Sequence, residues 1–190
     1  ADVGWYTSTS NPPETINCRG CRLSNVDLTG KDLTGADLTG ADLTGAVLRN
    51  VDLDQGKLTD AILVGADLTG IFLEGADLQD AVLTGVDLHT AYLTNADLHG
   101  ANLIGADLTG AYLTNADLHG ANLTDANLTG ADLRGASLTA ANLQKAYLFG
   151  AGLTGANLTD ANLARANLHD ANLRGANLSE ANLRDADLTG

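Results

Sequence analysis

The sequence predicts an all-β solenoid built from square coils, and three observations carry that prediction. Leucine stands at every fifth position without a slip from Leu23 to Leu188. Two residues before each leucine comes a small or short apolar residue, usually alanine, with Val26, Val51, Ile71 and Val86 as variants and Lys31 and Gly56 as departures. Two residues after it comes Gly, Asn or Asp in nearly every unit. A period of five fits neither the 3.6 of a helix nor the alternation of a long strand. It fits a short extended segment with two inward residues, an outward Asp or Asn between them, and a corner of residues that tolerate unusual dihedrals or bond their own backbone.

A second, longer period sets the size of the coil. Ala91 to Gly110 is repeated as Ala111 to Gly130 with changes only at Ile104/Thr124, Gly105/Asp125 and Asp107/Asn127. If four corners close one coil, a coil is twenty residues, and these two copies are consecutive coils stacked in register. Internal repetition of this kind decides the architecture before any local motif is read. Extended backwards, Ile16-Asn17-Cys18-Arg19-Gly20 scans as one further unit, so the repeat fills residues 16–190 with no linker.

Residues 1–15 break the pattern and hold Trp5 and both prolines. Asn11-Pro12-Pro13-Glu14 has the form of a helix start, with Asn as N-cap, Pro at the first helical position and Glu three residues on. This segment is predicted to be an N-terminal cap, with Trp5 or Tyr6 lying over the first coil. No equivalent follows at Leu188-Thr189-Gly190. The last coil, residues 171–190, is therefore expected to expose Ala and Leu core positions and to support end-to-end homodimer packing, with a removed C-terminal cap as the equal alternative. Ala1 is compatible with a mature form that has lost a signal peptide and with a trimmed chain.

The string A(D/N)LxG, as in Ala36-Asp37-Leu38-Thr39-Gly40 and Ala156-Asn157-Leu158-Thr159-Asp160, resembles the pentapeptide-repeat family over more than nine tenths of the chain. The resemblance implies a right-handed quadrilateral β-helix with four five-residue faces per coil. It carries over no binding or catalytic residues, because the family shares a scaffold and no common active site. Asn17-Cys18-Arg19-Gly20-Cys21-Arg22-Leu23 also looks like the CxxC opening of exported cyanobacterial members. That implies an extracytoplasmic setting, periplasm or thylakoid lumen, with the cytoplasm as the alternative. Cys18 and Cys21 take inward positions on adjoining faces, where a disulfide across the corner and two small core residues are both open readings. Two thiols alone lack the ligands of a zinc site.

The outward residues fall on four faces. The first face (16–20, 36–40 and every twentieth residue on) is the most acidic, and Asp77, Asp97 and Asp117 stack on it. His99 and His119 should lie one above the other there, a ligand set some metals accept, although a flat solvated surface holds metal weakly and no metal site is assigned. The second face, built on 21–25 and its successors, is near neutral and carries Ile62, Val64, Val82 and Ile104 where the pattern calls for polar residues. It also holds the column Asn102, Asn122, Asn142, Asn162 and Asn182, expected to form an amide ladder. The third face is acidic. The fourth stacks Phe72, Tyr92 and Tyr112, which reads as aromatic stabilisation between neighbouring segments or as a recognition stripe. Lys31, at an inward position of the first coil, is expected to extend its stem toward solvent or Glu14.

Composition removes several functions. A net charge of −14 repels phosphate, so nucleic acid is an improbable partner. Nothing is long and apolar enough for membrane insertion. The histidines are outward on regular segments, the serines lack an evident base, and the glycines have no strand-to-helix context for a phosphate loop. No catalytic residue and no cofactor is assigned. Rows of outward Thr, such as Thr109 with Thr129, would suit ice binding, but Arg, His and Gln interrupt them. The favoured expectation is a non-catalytic scaffold that docks an unidentified protein, with Ile62, Val64, Val82 and Ile104 as its patch. The alternative is DNA mimicry, since family members that protect type II topoisomerases from quinolones are acidic rods resembling duplex DNA.

Overall fold

The computed structural model of the protein describes residues 16–190. The cap expected over residues 1–15, with its helix start at Asn11 to Glu14 and the placing of Trp5 and Tyr6, lies outside the described residues. From residue 16 on, the chain winds as a four-sided solenoid. Each face is a short extended segment whose central outward residue pairs in parallel with the residue twenty positions on, from Asn17 with Asp37 to Asn167 with Asp187. At the ordinary strand spacing the stack is about 40 Å long.

One unit shows why the five residues are what they are. In Ala96-Asp97-Leu98-His99-Gly100, the Ala96 N–H donates to Leu93 O across the corner (3.1 Å), Asp97 N–H to Ala76 O in the preceding coil (2.9 Å), and Leu98 N–H to Asp117 O in the next (2.7 Å). Gly100 N–H donates to His119 O (3.0 Å). The remaining donor, His99 N–H, is taken by the Asp97 side chain, whose Oδ1 lies 3.0 Å away. Every donor of the unit is thereby bonded, as a closely packed backbone requires. The Asp or Asn before each leucine is a structural part, the local acceptor for the corner N–H. Where Thr follows the leucine its hydroxyl donates to the same oxygen, at 2.6 Å for Thr39 on Asp37 and 2.7 Å for Thr129 on Asn127.

The corners all use one conformation. From Gly20 to Asp185 the residue two after the leucine has φ between 51° and 70°, with a chain reversal closed by a three-residue-apart hydrogen bond, the pattern of a type II turn. Glycine reaches that region freely, and Asn and Asp reach it at small cost. Thr90, at 54°, is the β-branched exception.

The inward Leu and Ala residues form one continuous core. From Leu33 to Leu168 the leucines are buried, and Leu98 is fully enclosed while Asp97 beside it reaches solvent. Gly56, one of the two departures, keeps an ordinary backbone and sits where an added Cβ would lie 2.8 Å from Leu53 O. Lys31, the other, is exposed at the edge of the first coil. In the coil from 171 to 190 the inward positions are only partly covered, and Leu188 is 50% exposed.

Candidate protein-interaction face

Two local departures from the unit place apolar side chains outside. At Ile62 and Val82 the residue before the leucine has no oxygen to accept the corner N–H, so each forfeits a bond worth about 1 kcal/mol. The two pair in parallel between adjacent coils. Beside them the column one residue after the leucine runs Val64, Thr84, Ile104, and Ile62, Val64 and Ile104 are all exposed. The adjoining corner column is Gly65, Gly85 and Gly105, where an added Cβ would meet nothing within 4 Å. The apolar residues therefore border a strip of bare backbone. Here the sequence departs from its own local rule, and no replacement acceptor is seen within the fold for the corner N–H groups of Val64 and Thr84 among the described residues.

The same face changes character toward the carboxyl end. Its column continues Thr124, Gln144, Ala164, Arg184, and the small Ala164 leaves an open depression of about 330 Å³ bordered by Gln144, Asn162, Arg165, Asn182, Arg184 and Asp185. Asp185 is shared by two guanidinium groups, with Arg184 Nε at 3.6 Å and Arg165 Nε at 3.9 Å. The amide column forms a ladder here: Asn142 donates to Asn122 (3.4 Å), Asn162 to Asn142 (3.0 Å) and Asn182 to Asn162 (3.0 Å). The expectation of an apolar patch on this face left the depression unseen. Its signal in sequence was alanine at 164, where an outward polar residue is usual.

The fourth face carries the aromatic column. Phe72 and Tyr92 stack with centroids 4.9 Å apart and planes within 9°, and Tyr92 and Tyr112 follow at 5.0 Å and 12°. Their ring faces are covered by one another, leaving mainly edges outward. The missing corner acceptor at Phe72 is replaced from the neighbouring coil, where Asp54 Oδ1 accepts the Glu74 N–H at 2.7 Å. A smaller aromatic exposure, Tyr147 and Phe149 on the third face, was not singled out in the sequence, and Phe149 stacks on His169 at 5.4 Å.

On the first face His99 and His119 meet edge to face at 4.9 Å. Asp97 and Asp117 each turn an oxygen to the backbone N–H of the histidine that follows, and no group of three or more possible metal ligands converges among the described residues. Several carboxyls are held below the usual carboxylate range: Asp27 and Asp32 by the Thr29 and Thr34 hydroxyls, Asp132 by Arg134. The Sγ atoms of Cys18 and Cys21 are bonded, with their Cα atoms 5.2 Å apart, across the corner closed by Cys21 N–H to Cys18 O. Among the described residues no helix is long and apolar enough to cross a membrane.

Fold and surface together define a repeat solenoid whose distinguishing features are surface columns. The chain belongs to the pentapeptide-repeat family: the family described as pentapeptide repeats matches in 8 copies, over residues 16–55, 61–100, 91–130, 116–155 and 152–190. The solenoid is the right-handed quadrilateral β-helix of that family. HetL, a pentapeptide repeat protein involved in heterocyst differentiation regulation from the cyanobacterium Nostoc sp. strain PCC 7120, is 39% identical, with 92% of this chain and 87% of HetL covered and a TM-score of 0.48. A trypsin-treated form of QnrB1, a plasmid-mediated fluoroquinolone resistance protein, is 21% identical, with 87% of this chain and 85% of QnrB1 covered and a TM-score of 0.75. The likeness to QnrB1 is one of fold. No curated protein matches the chain.

Proposed function

We propose that the protein is a non-catalytic scaffold that docks a protein partner on its second face. The observation that carries this reading is the contrast between faces. The second face sets Arg22, Lys145, Arg165 and Arg184 against Asp42, Asp125 and Asp185, while each of the other three carries a clear excess of carboxylates among the described residues. On that face two adjacent coils, at Ile62 and Val82, carry outward aliphatic residues where the corners otherwise use acceptors, whereas Val47 on the third face is a single such departure between Asp27 and Asp67. Affinity capture from extract of the source cells tests it. A specific partner retained by the wild type and lost with Ile62→Asp plus Val82→Asp supports the reading; Asp is native at equivalent positions, so these variants keep the fold. No specific partner ends it.

The second reading, a DNA mimic that engages a type II topoisomerase, draws on the acidic first and third faces and the rod shape. A gyrase supercoiling assay separates the two: the scaffold reading expects unchanged supercoiling and no protection, whereas inhibition or protection favours the mimic. The bonded Cys18 and Cys21 support placement outside the cytoplasm. Alkylation followed by mass measurement checks it, and two freely alkylated thiols in the native protein remove that support. The partly covered coil at 171–190 supports end-to-end homodimer packing of this chain, which Ala186→Glu should dissociate in light scattering.

A further inference from the structure

We infer that the second face seats an extended segment of the partner that carries aliphatic residues followed by acidic ones, its carboxylates entering the depression at Ala164. The inference rests on the docking reading above and adds the chemistry of the partner.

The second face changes character along the rod. Over its first part, Val64 and Ile104 stand beside the bare corners of Gly65, Gly85 and Gly105. This strip lets a peptide backbone approach closely while its apolar side chains cover the aliphatic column. Asp125 ends the glycine run in that corner column, and Lys145 and Arg165 follow it. An acidic residue beside Asp125 would be repelled, so carboxylates are admitted only beyond it. There the planar guanidinium groups offer paired donors that match a carboxylate. Asp185 lies beyond hydrogen-bond length of both Nε atoms, at 3.6 and 3.9 Å. Both forks thus retain donors for a second carboxylate.

The charge of the whole rod selects against other occupants. A basic segment would go to the first face. A polyanion such as nucleic acid would extend past the cationic stretch toward the acidic faces, whereas a short acidic segment feels mainly the local cations, because screening limits the range to about 8 Å. From Ile62 to Arg184 this strip of the face spans about 29 Å at the spacing of stacked strands, the reach of roughly nine extended residues.

The test uses a fluorescein-labelled peptide of about twelve residues, aliphatic in its first half and Glu-rich in its second, titrated with the full chain by fluorescence anisotropy. A second peptide carries Lys in place of Glu. The inference expects saturable binding of the acidic probe, weakening as salt is raised. It expects about tenfold loss of affinity in Arg165→Asp with Arg184→Thr, and a similar loss in Ile62→Asp with Gly85→Asp. Tyr92→Asp on the fourth face should leave binding unchanged. These residue types already occupy equivalent positions in other units, and an unchanged circular dichroism melt confirms folding. No saturable binding, equal binding of the Lys probe, or binding that survives both second-face variants overturns the inference. Capture of a cellular partner that neither variant releases would overturn it while leaving a docking role elsewhere on the rod; absence of any specific cellular partner would instead end the docking reading itself.

Discussion

Each residue of the unit answers to one donor or one cavity, so single substitutions have predictable signs. Gly152 stands where Asp or Asn otherwise accepts the corner N–H, and an added Cβ would meet nothing nearer than Asp132 Oδ1 at 3.8 Å. Gly152→Asn restores the acceptor for Thr154 and reduces unfolded-chain freedom, and is expected to stabilise by about 1 kcal/mol in a denaturant titration. Thr90 holds a β-branched side chain at φ 54°. Thr90→Asn, the residue found at four other corners, should raise stability by about 0.5–1 kcal/mol. The carboxyls of Asp27, Asp32, Asp37 and Asp42 are lowered chiefly by the hydroxyl of the following Thr. A folded value below the unfolded one contributes stability that is present above the unfolded value and lost as pH falls through the folded one. Melting temperature is therefore expected to drop below about pH 4. Asp27→Asn with Asp37→Asn should reduce that drop, because Asn127 and Asn157 accept the same bonds without a charge.

At the scale of the element, a face is too short to be stable alone, and its three outward columns are where it differs from its neighbours. The phase of those columns was legible from the twenty-residue duplication: it places Phe72, Tyr92 and Tyr112 in one line and Ile62 above Val82. What was not legible was depth. Ala164 reads in sequence as one more small residue, and only the larger Gln144 and Arg184 on either side turn it into a depression. The same holds for Asp54, which serves Glu74 in the next coil while its own corner N–H is served by Asp52. The bonded cysteines join the first two faces of the first coil. They close a loop of four residues, so Cys18→Ala with Cys21→Ala is expected to cost about 2 kcal/mol by chain entropy. Hydrogen exchange should show that loss concentrated in the first coil.

Over the whole molecule each coil touches only its neighbours, so stability is a sum of coils and interfaces. Leu98, enclosed in mid-stack, has coils on both sides, and Leu98→Ala should cost about 2–5 kcal/mol. Leu178 lies in the partly covered coil. Leu178→Ala should cost less than half as much in the same denaturant titration, and equal costs would show that this coil is covered in solution. The acidic rod as a whole makes its association with charged partners sensitive to salt.

The sequence by itself determined the period, the inward and outward sides, the corners and the membership of each face, because those follow from the covalent character of residues repeated in strict phase. Tertiary structure alone decided what the outward side chains do with one another. It turned Arg165 and Arg184 onto one carboxylate, set His99 edge-on to His119, ran the amide ladder from Asn122 to Asn182 and opened the depression at Ala164. Side-chain rotamers and surface depth depend on neighbours about twenty residues away, above and below, and such contacts exist only once the coils have stacked.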